Sequence, residues 1–259
     1  DEFFNEYIDN NNDRLKFISN FSGSFGIALI FKKKNYLFVD GRYTLQAKIQ
    51  SGKLFTVYTL PEKIPSIILK NKKFNIGFDP KLHTQRNLDY FFHKTKSNLI
   101  PIKDNLIDKI WRNKRRLNYK KFFTLSKTVA GKSYTGKINL LLKILKKRKI
   151  DLQFISSSEN IAWLLNIRGS DCDFSPLANA YLTISSNKKI NFFCNIKKID
   201  KAFKKKFKQI TFIDIKYLDL TLSKISNKKV LIDSSSCSIH YEKVLKKYNK
   251  ILNTIDPLY

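Results

Sequence analysis

The sequence contains no methionine, only three cysteines and no long apolar run. No segment approaches the roughly 20 apolar residues that a membrane-spanning helix needs, and the start lacks the charged and apolar regions of a secretory signal. We therefore expect a soluble protein of the cytoplasm. Because the sequence lacks methionine and begins at Asp1, we also expect it to be a segment of a longer protein.

The three cysteines do not predict a disulfide framework. Cys172, Cys194 and Cys237 are far apart and odd in number, and no pair has the C-x-x-C spacing of a metal site. We interpret all three as buried thiols.

Histidine and aspartate residues do not predict a metal site either. His83, His93 and His240 do not form H-E-x-x-H or another spacing that places two histidines on one helix face. We expect each to be a surface or packing residue. Asp171 and Asp173 lie close together without a third ligand, so turn formation and helix capping are the favoured interpretation.

The net charge of +29 is the strongest compositional signal, with 50 basic residues against 21 acidic ones. Such a balance is typical of proteins that bind nucleic acid or another polyanion. Arginine supplies only 8 of the basic residues, however, and lysine is spread over the whole sequence together with asparagine and isoleucine. Because nucleic-acid readers favour the arginine fork and concentrate charge on one element, we expect mainly solvated surface lysine. A basic polyanion-binding module remains the alternative.

Apolar extended runs alternate with helical patterns through both halves of the 259 residues. FGIALIF and YLFV flank the turn-like KKKN, which predicts a β-hairpin, and KINLLLKILKKRK has the period of an amphipathic helix. Strands separated by helices predict an α/β fold with mixed sheets. The basic stretch from Lys109 to Lys121 lacks a clear period and predicts a linker, so we expect domains at 1–123 and 124–259.

Two glycine-containing stretches invite functional interpretations that their spacing does not support. GKS at 131–133 lacks the first glycine of a phosphate-binding loop, because Ser126 occupies that position, so a helix start is the favoured interpretation. NFSGSFG at 20–26 is not G-x-S-x-G, and we interpret it as a loop that enters a strand.

The stretch FVDGRYTLQA, residues 38–47, contains the most promising side chain. A strand ends before an Asp-Gly turn, and Gly41 would allow a sharp turn that presents Arg42 at the carboxyl end of the strand. Open α/β sheets commonly bind ligands there, and the arginine fork matches a carboxylate. The alternative is that Arg42 only pairs with a nearby Asp or Glu.

Six short stretches, in this order, resemble the N-terminal half of the long, three-domain Xaa-Pro aminopeptidases. They are DEFFNEYIDNNNDRLKFISNFSGSFGIA, FVDGRYTLQA, GFDP, LIPIKDNLIDKIW, AGKSYTGK and ENIAWLLNIRGSD. Each stretch is short, but their order and spacing are specific, and the resemblance covers essentially the whole sequence.

The resemblance implies two consecutive creatinase/prolidase N-terminal-type domains, each an α/β unit with a mixed β-sheet flanked by helices. It implies a hydrolase that releases an N-terminal residue preceding proline. Its catalytic "pita-bread" domain, expected after residue 259, would hold two Mn²⁺ ions. The resemblance assigns no catalytic or metal-binding residue to this chain, so we expect the 259 residues alone to be inactive.

One residue role and several partners follow from the same resemblance. The arginine of the DGRY motif makes Arg42 a substrate-binding residue. The family commonly has a histidine-containing stretch after RGSD, but this sequence has residues 172–176 as CDFSP, so no histidine role carries over. The implied partners are peptides with proline at position 2, the chain's own catalytic domain and a possible second copy in a homodimer. A stand-alone scaffold without peptidase activity is a further alternative.

Overall fold

The computed structural model describes residues 2–112 and 119–258, which divide into two compact units. The first unit holds residues 6–112, and the second holds residues 2–5 together with 119–258. Residues 113–118 of the predicted linker lie outside the described residues. The predicted domain boundary between residues 123 and 124 stays a prediction.

The first unit alternates short strands and helices, as the hydrophobic pattern predicts. In chain order its elements are α1 (Arg14–Ser19), β1 (Gly26–Ile30), β2 (Asn35–Asp40), α2 (Thr44–Ser51), β3 (Phe55–Leu60), α3 (Pro65–Ile68), β4 (Asn75–Phe78), α4 (Gln85–Phe92), β5 (Asn98–Pro101) and α5 (Leu106–Ile110).

The sheet of the first unit is mixed. Strands β1 and β2 form the predicted antiparallel hairpin, and β3 pairs with β2 in parallel, so that Asp40 lies opposite Leu60. Strands β4 and β5 form a separate parallel pair. Because β2 and β3 run in the same direction, both end at the same edge of the sheet.

A small apolar core holds this sheet against α2. Its buried members include Leu37 and Val39 of β2, Phe55 of β3 and Ala47 of α2, with Phe21 from the loop before β1. Alternate residues of β2 therefore pack on the helix, as the two-residue period of a strand requires. The helix follows β2 after a three-residue turn, which fixes the position of that turn.

The second unit is larger and has the same alternation. Its elements are β6 (Phe123–Thr124), α6 (Lys127–Ala130), α7 (Tyr134–Lys147), β7 (Leu152–Ile155), α8 (Ser158–Leu165), β8 (Ile167–Arg168), β9 (Tyr181–Ser185), β10 (Ile190–Cys194), α9 (Lys201–Lys206), β11 (Ile210–Asp214), α10 (Leu218–Ser223), β12 (Lys229–Ile232), α11 (Ile239–Lys246) and β13 (Lys250–Asn253).

Six of these strands form one mixed sheet in the order β11-β10-β9-β7-β12-β13. Strand β9 is antiparallel to both neighbours, and the other pairs are parallel. Strands β6 and β8 form a short antiparallel pair of their own. The predicted mixed α/β architecture is therefore confirmed in this unit as well.

Helices cover both faces of the six-stranded sheet. In β10, Phe192 packs in the cluster that contains α7, α8 and α9, whereas Phe193 packs in the cluster that contains α10 and α11. In β12, Leu231 belongs to the first cluster, and Val230 and Ile232 belong to the second. Burial on both faces explains why these strands are mostly apolar.

Helix α7 explains the GKS stretch. The Ser133 side chain caps the helix by accepting a hydrogen bond from the Gly136 N–H, and Gly131 adopts a positive φ of 72° before it. These residues therefore start a helix, as predicted. The NFSGSFG loop likewise leads into β1, as predicted.

Among the described residues, every helix is too short or too polar to cross a lipid bilayer.

The two neighbouring leucines of α7 offer a matched test of this packing. Leu141 is completely buried, whereas Leu140 is 44 % exposed. We predict that Leu141→Ala lowers the free energy of unfolding by about 2 to 5 kcal/mol, because it leaves a cavity. Leu140→Ala should change it by less than about 0.5 kcal/mol. Chemical denaturation measures both, and equal losses would contradict this packing of α7.

Candidate functional site

Arg42 lies in a three-residue 3₁₀ turn, Gly41–Tyr43, between β2 and α2. The turn begins where β2 ends, so Arg42 lies at the carboxyl edge of the parallel β2–β3 pair. Its side chain is 66 % exposed. The structure therefore presents Arg42 to solvent at the kind of edge where α/β sheets bind ligands.

Asp40 holds both the backbone and the side chain of Arg42. Its Oδ1 accepts hydrogen bonds from the Arg42 backbone N–H and from Nε, each at 2.9 Å. The Nη2 to Oδ2 distance is 3.5 Å, which makes a weaker second contact. The same carboxylate therefore caps the turn and orients the guanidinium.

This pairing leaves donors of the arginine fork available. A guanidinium has five N–H donors, and Asp40 uses the Nε side of the group. Among the described residues, no other acidic side chain forms an ion pair with Arg42. Arg42 thus does pair with a nearby carboxylate, as the alternative interpretation holds. Other N–H donors of its guanidinium are still available to a ligand.

The ion pair shifts the pKa of both partners. The hydrogen bond from Arg42 lowers the pKa of the Asp40 carboxyl below its usual value, and Asp40 raises the pKa of Arg42 above its usual value. Asp40 thus stays ionised, and Arg42 stays charged, at neutral pH.

An aromatic ring lies beside the guanidinium. The Arg42 Cζ atom is 5.3 Å from the ring centroid of Tyr43. The Tyr43 hydroxyl is 3.0 Å from the Ser24 hydroxyl, and its ring packs edge-on against buried Phe21 at 5.8 Å. The NFSGSFG loop therefore supports Tyr43, which in turn packs against Arg42.

The two glycines of this region have different structural roles. A Cβ atom at Gly23 would lie 2.2 Å from the Phe21 ring and 2.9 Å from the Tyr43 ring. A Cβ atom at Gly41 would meet only Thr59 at 3.7 Å, and Gly41 does not have a positive φ. The expectation that the turn needs the conformational freedom of a glycine at position 41 is therefore wrong. At position 23, by contrast, the neighbouring rings leave no space for a side chain.

The second motif, ENIAWLLNIRGSD, lies in the second unit and is structural. Ile161 and Leu164 of α8 are fully buried, which confirms the interpretation of IAWLLN as a core helix. Asn166 ends the helix in a left-handed conformation, and its side chain accepts a hydrogen bond from buried Lys137 at 2.6 Å. Burial lowers the pKa of Lys137, whose Nζ also lies 4.2 Å from the Trp163 ring centroid.

Asp171 is not the N-cap of any described helix, which corrects the prediction of helix capping, whereas Asp173 lies in a turn, as predicted. The Oδ1 atom of Asp171 lies 2.5 Å from the Nζ atom of Lys198, and its Oδ2 accepts a hydrogen bond from the Asn179 N–H at 2.8 Å. The carboxylate is almost fully buried, so it needs these partners. Asp173, two residues on, is exposed.

The cysteines are buried thiols, as predicted. Burial raises the pKa of Cys194 to about 12 and raises that of Cys237 above its usual value. Both therefore stay protonated and unreactive at neutral pH.

The histidines lie in three different settings. His83 packs edge-on against Phe78 at 5.8 Å, and burial lowers its pKa to about 4. His93 is exposed, and His240 pairs through Nε2 with the Asp219 carboxylate. Over the described ranges, His, Cys, Asp and Glu side chains form no group of three or more that could hold a metal ion.

The sequence singled out Arg42 as a candidate and suggested a nearby carboxylate as its partner, but it did not predict the aromatic residues that support it. Asp40, two residues from Arg42, is that carboxylate. Tyr43, Ser24 and Phe21 come together through the fold, and only the small residues of the NFSGSFG loop hinted at close packing.

Family models identify both halves of the chain. A model of the creatinase/prolidase N-terminal domain matches residues 7–110, and a second model of that description matches residues 113–259. The chain belongs to the creatinase/prolidase N-terminal domain family. Two domains of this family therefore follow one another along the chain.

The chain is similar to several Xaa-Pro aminopeptidases. "Xaa-Pro aminopeptidase 1" of Dictyostelium discoideum is 30 % identical over 98 % of this chain and 43 % of its own length. "Xaa-Pro aminopeptidase ApepP" of Drosophila melanogaster is 28 % identical over 98 % of this chain and 44 % of its own. The chain thus spans less than half the length of these relatives.

A solved structure confirms the fold. The crystal structure of X-prolyl aminopeptidase from Caenorhabditis elegans, described as a cytosolic enzyme with a di-nuclear active site, has a TM-score of 0.88 and 24 % identity. The match covers 98 % of this chain and 45 % of that protein.

The two glycines provide a test of the packing around Tyr43. We predict that Gly23→Ala destabilises the first unit by about 1 to 3 kcal/mol, because Phe21 is buried and has little room to move. Gly41→Ala should cost less than about 1 kcal/mol, since the new methyl group makes only an ordinary contact. Thermal unfolding of the two variants gives the comparison, and the reverse order would contradict the packing described here.

Proposed function

We propose that this chain is the N-terminal, noncatalytic segment of a metal-dependent Xaa-Pro aminopeptidase. The full protein would release an N-terminal residue that precedes proline. Membership of the creatinase/prolidase N-terminal domain family supports the proposal, as do relatives of this activity that match nearly the whole chain. Because the chain spans less than half of those relatives, the remaining part would carry the catalysis.

Within that enzyme, Arg42 would bind the substrate. The observation that carries this role is the exposed, oriented guanidinium at the carboxyl edge of β2 and β3. A bidentate donor of fixed direction can hold a peptide carboxylate or backbone carbonyl and so orient the chain for attack. Asp40 and Tyr43 would position Arg42 without touching the substrate.

The described residues of this chain do not fit the metal centre of such an enzyme. The described part lacks a cluster of three or more His, Cys, Asp and Glu ligands, so two Mn²⁺ ions would be bound by a catalytic domain. No chemical step is therefore assigned to residues of this chain. Their proposed work is binding and orientation.

The proposed setting is the cytoplasm, in line with the cytosolic relative from Caenorhabditis elegans. The proposed partners are peptides with proline at position 2, the catalytic domain of the same protein and, in a homodimer, a second copy.

The 259 residues alone should not hydrolyse Xaa-Pro peptides, even with added Mn²⁺, because a two-metal centre needs ligands that the described residues do not group together. Release of the N-terminal amino acid is the readout. A longer version that includes a catalytic domain is the positive control. Turnover by the purified short chain would refute its noncatalytic role.

In the longer protein, Arg42→Ala should lower kcat/KM toward Xaa-Pro peptides by the equivalent of about 1 to 3 kcal/mol, since a charge-assisted hydrogen bond is lost. Arg86→Ala is the matched control, because Arg86 is another exposed arginine of the first unit. Steady-state kinetics of the two variants give the kcat/KM values to be compared with that of the unmodified enzyme. If Arg42→Ala and Arg86→Ala both leave kcat/KM unchanged, Arg42 is not in the substrate site.

A further inference from the structure

Residues Glu2–Asn5 belong to the second unit, although the chain that follows them belongs to the first. We call Glu2–Asn5 the N-terminal strap. Phe3 and Asn5 are buried, whereas Glu2 and Phe4 are half-buried. The strap thus buries the side chains of Phe3 and Asn5 in the second unit.

Phe3 is the apolar anchor of the strap. Its ring stacks on Tyr181 with a centroid distance of 5.0 Å and an interplanar angle of 23°. Phe154 and Tyr241 pack on the other sides of Tyr181, at 5.8 and 5.1 Å. Phe3 therefore completes an aromatic cluster on one face of the six-stranded sheet.

Asn5 is the polar anchor. Its Nδ2 atom donates a hydrogen bond to Asn179 Oδ1 at 2.7 Å and lies 3.5 Å from Cys172 Sγ. The Tyr181 hydroxyl adds a hydrogen bond to the Glu2 carbonyl at 2.6 Å. The contacts that hold the strap thus include an aromatic ring, an amide and a backbone carbonyl.

The walls of this slot are held in place by contacts that do not involve the strap. Tyr181 belongs to β9, a central strand of the sheet. The Asn179 N–H is bonded to Asp171, which also pairs with Lys198. A slot whose walls are fixed independently stays formed when its occupant leaves, and such preorganised sites bind well.

The fit at Asn5 is incomplete. Its Oδ1 is buried and has no hydrogen-bond donor among the described residues. A buried acceptor without a donor destabilises the docked state, whereas water would satisfy it after release. The unsatisfied acceptor therefore weakens the polar anchor, whereas the stacked ring of Phe3 has no such cost.

We propose that the slot formed by Tyr181, Tyr241, Asn179 and Cys172 is a peptide-binding site whose occupant is the chain's own strap. It selects an aromatic residue followed, two positions later, by asparagine. Release of the strap uncovers Cys172. The proposal does not depend on the peptidase function, since each residue that it uses lies in the second unit.

The first test removes residues 1–5 and supplies them in trans. Cys172 should react with a disulfide reagent about tenfold or more faster in the truncated chain than in the full chain, because its cover is gone. A synthetic peptide with the sequence of residues 1–9, DEFFNEYID, should restore the slow rate. Mass spectrometry identifies the modified thiol. Cys194 is the internal reference, because it lies in the apolar cluster that does not contain Phe3 and Tyr181.

Peptide variants test the two anchors. The Phe3→Ala peptide should fail to protect Cys172, and the Asn5→Ala peptide should protect it more weakly than the unmodified one. The Phe4→Ala peptide is the matched control, because Phe4 is an adjacent aromatic residue that is only half-buried. The full chain should not bind the labelled peptide, since its slot is filled.

A point variant keeps the test decisive if the truncated chain does not fold. In the full chain, Phe3→Ala should speed modification of Cys172 several-fold, whereas Phe25→Ala, at an exposed phenylalanine of the first unit, should not. The proposal is overturned if Phe3→Ala leaves the Cys172 rate unchanged. It is also overturned if a folded truncated chain gains no protection from the peptide.

Discussion

A single carboxylate at the end of β2 determines the geometry of the candidate site. Asp40 accepts hydrogen bonds from both the backbone and the side chain of Arg42, so it shapes the turn and directs the guanidinium at the same time. The parallel pairing of β2 and β3 places this turn at their common carboxyl edge. In the proposed function, this exposed arginine can bind substrate because Asp40 orients it before any ligand arrives.

The second unit stabilises its loops with buried polar pairs. The Asp171–Lys198 ion pair and the Lys137–Asn166 hydrogen bond both connect segments that follow or precede helices. Such buried charges are costly unless they are paired, so each pair restricts the loop to one arrangement. The strap uses the same loop, since Asn179 is bonded both to Asp171 and to Asn5.

Local patterns predicted the elements and the family better than they predicted the contacts. The hairpin, the amphipathic α7 and the helix start at GKS depend on neighbouring residues, so the sequence was enough to predict them. The partners of Asp171, the support of Arg42 by Tyr43 and Phe21, and the docking of Phe3 on Tyr181 join residues far apart in the chain. Residues of these types occur in many different environments, so their contacts become known only from the folded structure.

The substrate role of Arg42 is tested most directly by chemical rescue in the longer protein. The measurement is kcat/KM of the Arg42→Ala enzyme toward a Xaa-Pro peptide, with and without added guanidinium ion. We predict that guanidinium restores part of the lost activity in a saturable way and that methylammonium, which lacks the planar fork, restores less. A folded variant that has lost activity and responds equally to both ions, or to neither, would contradict the assignment.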